Sequence, residues 1–164
     1  MKTLMLLRHA KSSWSEPDLS DHDRPLIEKG KKAAIRMGRL LLEKGLVPDL
    51  ILSSTARRAR KTAKLAAKAS GFGGEVQLLE DLYLAPAGEL LAEARAHAPD
   101  AASRLLVVAH NPGLEDLVGI LSGRHERFPT AALAIFEVSI DAWNELESGV
   151  PFKLTAIFRP KNLF

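Results

Sequence analysis

The sequence predicts an α/β protein: a three-layer α/β/α sandwich whose six-stranded sheet is mixed but mostly parallel. Two observations support this prediction. Short apolar runs, several of them continuous, alternate with longer stretches in which apolar residues recur every three or four positions. Continuous apolar runs are typical of strands buried on both faces, and their alternation with helical patterns favours a parallel sheet covered by helices.

Six segments have the length and apolar character of strands. They are residues 3–7, 50–52, 76–79, 105–109, 133–138 and 154–158. The 164 residues contain no internal repeat, low-complexity tract or linker-like stretch. We therefore expect one domain covering residues 1–164, which is long enough to bury its own core.

Four helices are predicted between these strands. The first carries a stripe of small and apolar residues and stops at Gly45, and the second carries an alanine stripe and stops at Gly71. The third covers residues 87–98. The fourth begins in "HNPG", where Asn111 suits the capping position and Pro112 the first helical position.

The composition excludes several kinds of site. The chain has no cysteine, which rules out disulfides, thiolate metal sites and cysteine catalysis. No stretch approaches the roughly 20 apolar residues of a membrane span, and the N-terminus has no signal-peptide core, so we expect a cytoplasmic protein without a membrane partner. The net charge is +3, and aromatic residues do not interleave with basic ones, so no nucleic-acid partner is expected.

Charged side chains follow four of the predicted strands. Arg8 and His9 follow the first, His110 follows the fourth, and Glu80 and Asp81 follow the third, while the basic segment "SSTARRARKT" follows the second. Ligands of such sheets bind beyond the carboxyl ends of the strands. Positive groups gathered at that edge, with helix N-termini beside them, predict a phosphate site.

The residue types in this site suggest phosphoryl transfer. A neutral imidazole can attack phosphorus and carry the phosphoryl group covalently. Neighbouring arginines disfavour the imidazolium form of His9 and neutralise the oxygens of the transferring group. Because guanidinium groups can take the place of Mg²⁺, we expect neither a metal nor a cofactor.

Four segments, "LLRHA", "DRPLIEKG", "SSTARRARKTA" and "VVAHNPG", resemble the histidine phosphatase superfamily, which includes the phosphoglycerate mutases. More narrowly, they are similar to the small bacterial phosphohistidine phosphatases of the SixA type. The resemblance covers essentially the whole chain. It implies a phosphoglycerate mutase-like fold and a phosphohydrolase that acts on protein phosphohistidine through a covalent phosphohistidine intermediate. A phosphorylated protein or peptide is thus the expected partner.

The same resemblance assigns roles to individual residues. It implies that His9 is the nucleophile, that Arg8 is a phosphate ligand and that His110 is the second catalytic histidine. Arg58 fits the family's second arginine, because the alanine and threonine that follow it are in register. Arg57, one residue earlier, is the alternative.

Further residues are expected near the phosphate. Ser12 and Asn111 are candidates for its pocket, and Thr130, in "FPTAALAIFEV", is expected to border the site. Glu80 falls where mutase relatives have the acid that protonates the leaving oxygen, although it could equally cap a helix. A phosphohistidine needs little help from an acid, since its leaving group is an imidazole with a pKa near about 6.5. Ala10 stands where the family usually has glycine.

Two other functions are weighed against this one. The first is a small-molecule phosphomonoester phosphatase or mutase of the same superfamily, with Arg60, Lys11 and Arg124 as candidate ligands for a second anionic group. The second is a non-catalytic phosphate-binding module in which Ala10 has disabled His9. His22 is interpreted as a loop residue rather than a catalytic one.

Overall fold

A computed structural model describes residues 1–163. Its strands are β1 (Lys2–Arg8), β2 (Leu50–Ser54), β3 (Gln77–Leu79), β4 (Arg104–Ala109), β5 (Leu133–Val138) and β6 (Phe152–Phe158). Its α-helices are α1 (Glu28–Glu43), α2 (Arg57–Ser70), α3 (Ala87–His97) and α4 (Gly113–Ser122). No helix in these 163 residues combines the length and the apolar character needed to cross a bilayer.

The strands form one sheet in the order β3-β2-β4-β1-β5-β6. The first four of these are mutually parallel, β5 is antiparallel to β1, and β6 is antiparallel to β5, which confirms the mixed, mostly parallel sheet. β1 is central, and its pairing with β4 sets Arg8 opposite Ala109. The residues that follow these two strands therefore meet at the same edge.

β1 is apolar throughout because both of its faces are covered. Leu4 and Leu6 belong to the cluster on the side of α3 and α4, while Met5 and Leu7 belong to the cluster on the side of α1 and α2. Burying each of these side chains contributes about 1.5–3 kcal/mol. The strand that carries Arg8 into the site is thereby held from above and below.

Small residues bring α1 and α2 into close contact. A methyl group added to Gly38 of α1 would lie 2.4 Å from the carbonyl oxygen of Ala66 in α2. The alanine stripe of α2, including Ala59 and Ala63, is fully buried against the sheet. This packing places the first turn of α2, which holds Arg57 and Arg58, at the edge of the sheet.

The fourth helix begins one residue later than predicted, at Gly113. Pro112 occupies the capping position, and the side-chain oxygen of Asn111 accepts a hydrogen bond from the N–H of Glu115 at 3.2 Å. Gly113 packs so closely that a methyl group there would lie 1.9 Å from the Ala85 carbonyl oxygen, which explains the glycine at this position.

Candidate active site

The backbone that leaves β1 is held from both sides. The N–H of His9 donates to the carbonyl of Ala109 at 3.1 Å, and the N–H of Ala131 donates to the carbonyls of Arg8 and His9 at 3.1 and 3.0 Å. Ala131 has a positive φ of 60°, which turns its N–H toward these carbonyls. The position of His9 is therefore set by strands on either side of β1.

His9 is a buried, neutral imidazole. Its Nδ1 lies 2.8 Å from the Ala10 carbonyl, which can only accept, so Nδ1 carries the proton and Nε2 keeps its lone pair. Burial lowers the pKa of His9 to about 4, with Arg58, Arg8 and Arg24 adding to the effect. A neutral Nε2 is the atom that can act as a nucleophile near neutral pH.

His110 lies beside His9 across the parallel pair, with 5.2 Å between the ring centroids. Its Nε2 is 2.8 Å from the hydroxyl oxygen of Ser54, which itself accepts the N–H of Ala56 at 3.2 Å. Ser54 can therefore donate to Nε2, which leaves the proton of His110 on Nδ1. Burial lowers the pKa of His110 to about 3, and the neighbouring His9 and Arg58 add to this effect.

Arg58 is anchored to a 3₁₀ turn, Asp21–Asp23, that precedes α1. Only 4% of Arg58 is exposed; one of its terminal nitrogens donates to the carbonyl of Asp21 at 2.7 Å, and the other donates to Asp21 Oδ2 at 3.0 Å. The Asp21 carboxylate also accepts hydrogen bonds from Arg24, at 3.0 Å, and from the hydroxyl of Tyr83. Desolvation alone would raise the pKa of Asp21, but these hydrogen bonds hold that pKa well below its usual range.

Two nitrogens of this cluster have no partner. Arg8 donates from Nη1 to the carbonyl of Phe128 at 3.2 Å, but its buried Nε and the buried Nδ1 of His110 bond to nothing among the residues described. Burial lowers the pKa of Arg8, Arg58 lowers it further and Glu115 opposes the shift. Unpaired buried donors are costly, by about 1–3 kcal/mol each, so both are ready to bind an oxyanion.

The four residues central to the prediction, Arg8, His9, Arg58 and His110, are thus brought together. Arg57 is not part of this cluster, because it is exposed and donates to the backbone oxygen of Asp23 at 3.4 Å. Helical phase explains the difference between the two arginines, since Arg58 lies on the buried face of α2 and Arg57 does not.

The other pocket candidates are already hydrogen-bonded or line a different cleft. The Ser12 hydroxyl accepts a hydrogen bond from Arg24, and Asn111 donates to the Phe128 carbonyl at 2.8 Å, the acceptor that it shares with Arg8. Thr130 lines a separate cleft of about 700 Å³ whose lining includes none of the four cluster residues. Asn111 is therefore placed to position Arg8 through the Phe128 backbone.

Glu80 is exposed at the start of a 3₁₀ turn, Glu80–Leu82, and its carboxylate makes no hydrogen bond or ion pair within residues 1–163. Tyr83, which follows the turn, contacts His110 with 5.5 Å between ring centroids. Within the same range, carboxylates close enough to share a metal ion are found at Asp81, Glu89 and Glu93, a group that contains no residue of the histidine cluster.

Sequence reasoning missed several neighbours of the site. Asp21, Arg24 and Tyr83 were not assigned to it, and His22 was interpreted as a loop residue. His22 packs edge-on against Tyr83 at 4.9 Å, and its Nε2 lies 2.9 Å from the Thr55 hydroxyl. The available signal was the dense run of charges in "SDHDRP", which leads into the family-like segment "DRPLIEKG".

Ala10 fits its position without strain. It is fully buried with Leu26, Ala33 and other apolar residues, and its φ is not positive. Its N–H donates to the Thr62 hydroxyl at 2.9 Å, and that hydroxyl donates to the Arg58 carbonyl at 2.7 Å. The residue that replaces the family's glycine thus helps to link the loop after β1 to α2.

Comparison with known proteins identifies the family. The family model described as "Histidine phosphatase superfamily (branch 1)" matches residues 4–90. An uncharacterized chloroplastic protein of Arabidopsis thaliana is 35% identical over 153 residues, which cover 88% of this chain and 70% of the relative. A 2,3-bisphosphoglycerate-dependent phosphoglycerate mutase of Streptomyces griseus is 48% identical, but over 65 residues that cover 38% of this chain and 26% of that enzyme.

Solved structures agree with this result. A candidate phosphohistidine phosphatase SixA from Agrobacterium tumefaciens superposes with a TM-score of 0.82 at 28% identity, covering 97% of this chain and 98% of its own. A protein histidine phosphatase SixA complexed with tungstate shares the fold, with a TM-score of 0.82 at 22% identity and 99% coverage of both chains. Its sequence motifs, its fold and these matches support phosphatase activity and show that the chain belongs to the histidine phosphatase superfamily.

Proposed function

We propose that this phosphatase removes phosphoryl groups from phosphohistidine in a protein or peptide, through a covalent phosphohistidine intermediate on His9. The observation that carries the proposal is the state of His9. Its proton is held on Nδ1 by the Ala10 carbonyl, its Nε2 is free, and its pKa lies near 4 because it is buried among arginines. His9 is therefore a nucleophile over the whole physiological pH range.

The reaction proceeds in two displacements. The Nε2 lone pair of His9 attacks phosphorus, the bond from phosphorus to the substrate imidazole breaks, and that imidazole keeps the electron pair and takes a proton from water. A water molecule then attacks phosphorus and releases to solvent a proton that replaces the one consumed in the first step. The bond from phosphorus to His9 breaks, its electron pair returns to Nε2, and inorganic phosphate leaves. Arg8, Arg58 and the Nδ1–H of His110 donate to the phosphoryl oxygens, where charge concentrates in the transition state.

The three candidate ligands for the second anionic group of a small metabolite are not gathered in one place. A mutase substrate needs further basic residues that bind its second anionic group together, and the candidates are Arg60, Lys11 and Arg124. These three residues line three different clefts. The chain between β3 and α3 is also short, covering residues 80–86, so this connection adds no long cover over the site.

One further observation supports the same substrate, and another disfavours a non-catalytic role. The solved structure with 28% identity is described as a candidate phosphohistidine phosphatase, whereas the mutase similarity covers a minor part of both chains. A non-catalytic module is disfavoured because Ala10 is accommodated without a strained backbone and leaves His9 in contact with His110.

The experiment compares substrates on the purified protein. We expect a higher kcat/KM for a phosphohistidine peptide than for 3-phosphoglycerate or sugar phosphates, and rapid quenching at alkaline pH should trap a radiolabelled phosphoenzyme. His9→Ala is the control and should show neither turnover nor label. Preference for the metabolites would reject the substrate, and turnover without any labelled protein would reject the covalent intermediate.

A further inference from the structure

A basic cleft of about 380 Å³ lies beside the proposed site, between the start of α2 and the chain that leads into α1. Pro25 and Leu26 contribute its apolar surface. The remaining lining consists of five cations, Lys31, Arg57, Arg60, Lys61 and Lys64. We refer to these seven residues as the basic cleft.

Most of this charge is not compensated by the protein. Lys31 pairs with Glu28 at 3.0 Å, but the other four cations of the basic cleft form no ion pair with any carboxylate in residues 1–163. α2 contains no acidic residue along its whole length, so its exposed face offers no counter-charge. The basic cleft therefore presents a concentrated positive potential to solvent.

This arrangement opposes the stability of the helix that carries it. Arg57, Arg60 and Lys61 lie in the first turns of α2, where the positive end of the helix dipole disfavours cations. Lys64 follows at spacings of three and four residues, which sets like charges side by side on one face. Charges that destabilise their own helix are best explained by an anionic ligand that binds them.

The basic cleft adjoins the site through one short segment. Arg58 is bonded to Asp21 and Arg57 to Asp23, and both acceptors belong to the same 3₁₀ turn. A chain whose phosphohistidine reaches His9 can thus continue past this turn into the basic cleft. Its lining holds no aromatic side chain on which a nucleobase could stack, and this favours a carboxylate-bearing ligand over a single-stranded nucleic acid.

We infer that the basic cleft docks an acidic segment of the phosphorylated protein substrate, with Asp or Glu side chains a few residues from the phosphohistidine. This inference rests on the proposed function, because it assumes a protein substrate. Docking of this kind raises affinity and association rate without touching the reacting atoms. It predicts an effect on KM with little effect on kcat.

The test uses two phosphohistidine peptides that differ only in flanking Asp or Asn residues. We expect kcat/KM to be about tenfold higher for the acidic peptide, the amount that two or three surface ion pairs supply together. The preference should shrink in about 0.5 M salt, which screens exposed charges. The double variant Lys61→Glu/Lys64→Glu should lose the preference yet retain kcat on the neutral peptide. Lys64→Glu alone should lose part of it, whereas Lys68→Glu, the same single charge reversal at the far end of α2, should keep it in full.

The possible outcomes separate the two proposals. Equal turnover of both peptides, or the same loss in Lys68→Glu, overturns the docking inference while the proposed function stands. If neither peptide is turned over, the proposed function fails, and fluorescence anisotropy with the unphosphorylated peptides still decides whether acidic chains bind at Lys61 and Lys64. Tighter binding of a single-stranded oligonucleotide than of the acidic peptide would assign the basic cleft to nucleic acid instead.

Discussion

The neutrality of His9 predicts a specific pH dependence of stability. In the unfolded chain a histidine titrates near pH 6.5, whereas burial lowers the pKa of His9 to about 4 in the folded protein. Above pH 6.5 neither state binds the proton, so stability is unaffected. Between pH 6.5 and 4 the unfolded state binds it and the folded state does not, so stability falls as the pH falls.

The size of this loss follows from the two pKa values. A pH of 4.5 lies two units below the pKa of His9 in the unfolded chain, and each unit is worth about 1.4 kcal/mol. Because the folded protein also begins to bind the proton near this pH, protonation of His9 should stabilise the unfolded chain by a net amount of about 2.5 kcal/mol. Because His9 is 7% exposed, little screening by solvent reduces this figure. A His9→Asn variant has no such group, so its stability should fall less than that of the wild type over the same range.

Urea denaturation at pH 7 and pH 4.5, in buffers without phosphate, measures the difference. We expect the difference in free energy of unfolding between the wild type and His9→Asn to change between the two pH values. At pH 4.5 it should shift by about 2.5 kcal/mol in favour of the variant. His125→Asn is the control, because the His125 side chain is 75% exposed, and it should follow the wild type. Parallel pH dependence of wild type and His9→Asn would mean that His9 is not held neutral by burial, which would remove the basis of the proposed nucleophile.

Three further predictions concern the site. Arg58→Ala should lower kcat/KM on a neutral phosphohistidine peptide by on the order of 10²-fold, and by at least about tenfold more than Arg57→Ala, because only Arg58 is buried in the cluster. Asp21→Asn should release Arg58 and so lower kcat by about tenfold, with a smaller change in KM. Steady-state kinetics measures both constants, and an unchanged kcat would contradict the anchoring role of Asp21. Glu80→Gln should change kcat/KM by less than about threefold, whereas a hundredfold loss would indicate an acid that protonates an alcohol leaving group.

The fold could be predicted from the sequence because β1 and β4 are continuous apolar runs and because Gly45 and Gly71 mark the ends of α1 and α2. All six predicted strands are present, with ends that coincide or differ by at most two residues. The start of α4 was placed one residue too early because the local pattern of Asn111 and Pro112 is favourable for a helix start. The contact between Gly113 and the Ala85 carbonyl, which joins distant parts of the chain, could not be read from that pattern.

The site could be predicted in part. Arg8, His9 and His110 follow strands directly, so their common edge followed from the parallel sheet, and the register of β1 with β4 makes the histidines neighbours. Asp21 and Tyr83 belong to connections 62 positions apart in the chain, and only the folded arrangement brings the Tyr83 hydroxyl to the Asp21 carboxylate. No periodicity marks such a contact.

Arg57 and Arg58 are neighbours in the chain, but they lie on different faces of α2 and therefore have different roles. The buried face of α2 runs through Arg58, Thr62 and Ala66, at steps of four residues, and carries Arg58 into the cluster. The exposed face runs through Arg57, Lys61 and Lys64 into the basic cleft. Arg58 can therefore act on the phosphoryl group while the other cations act on the chain that carries it, and substitutions on the two faces should alter kcat and KM separately.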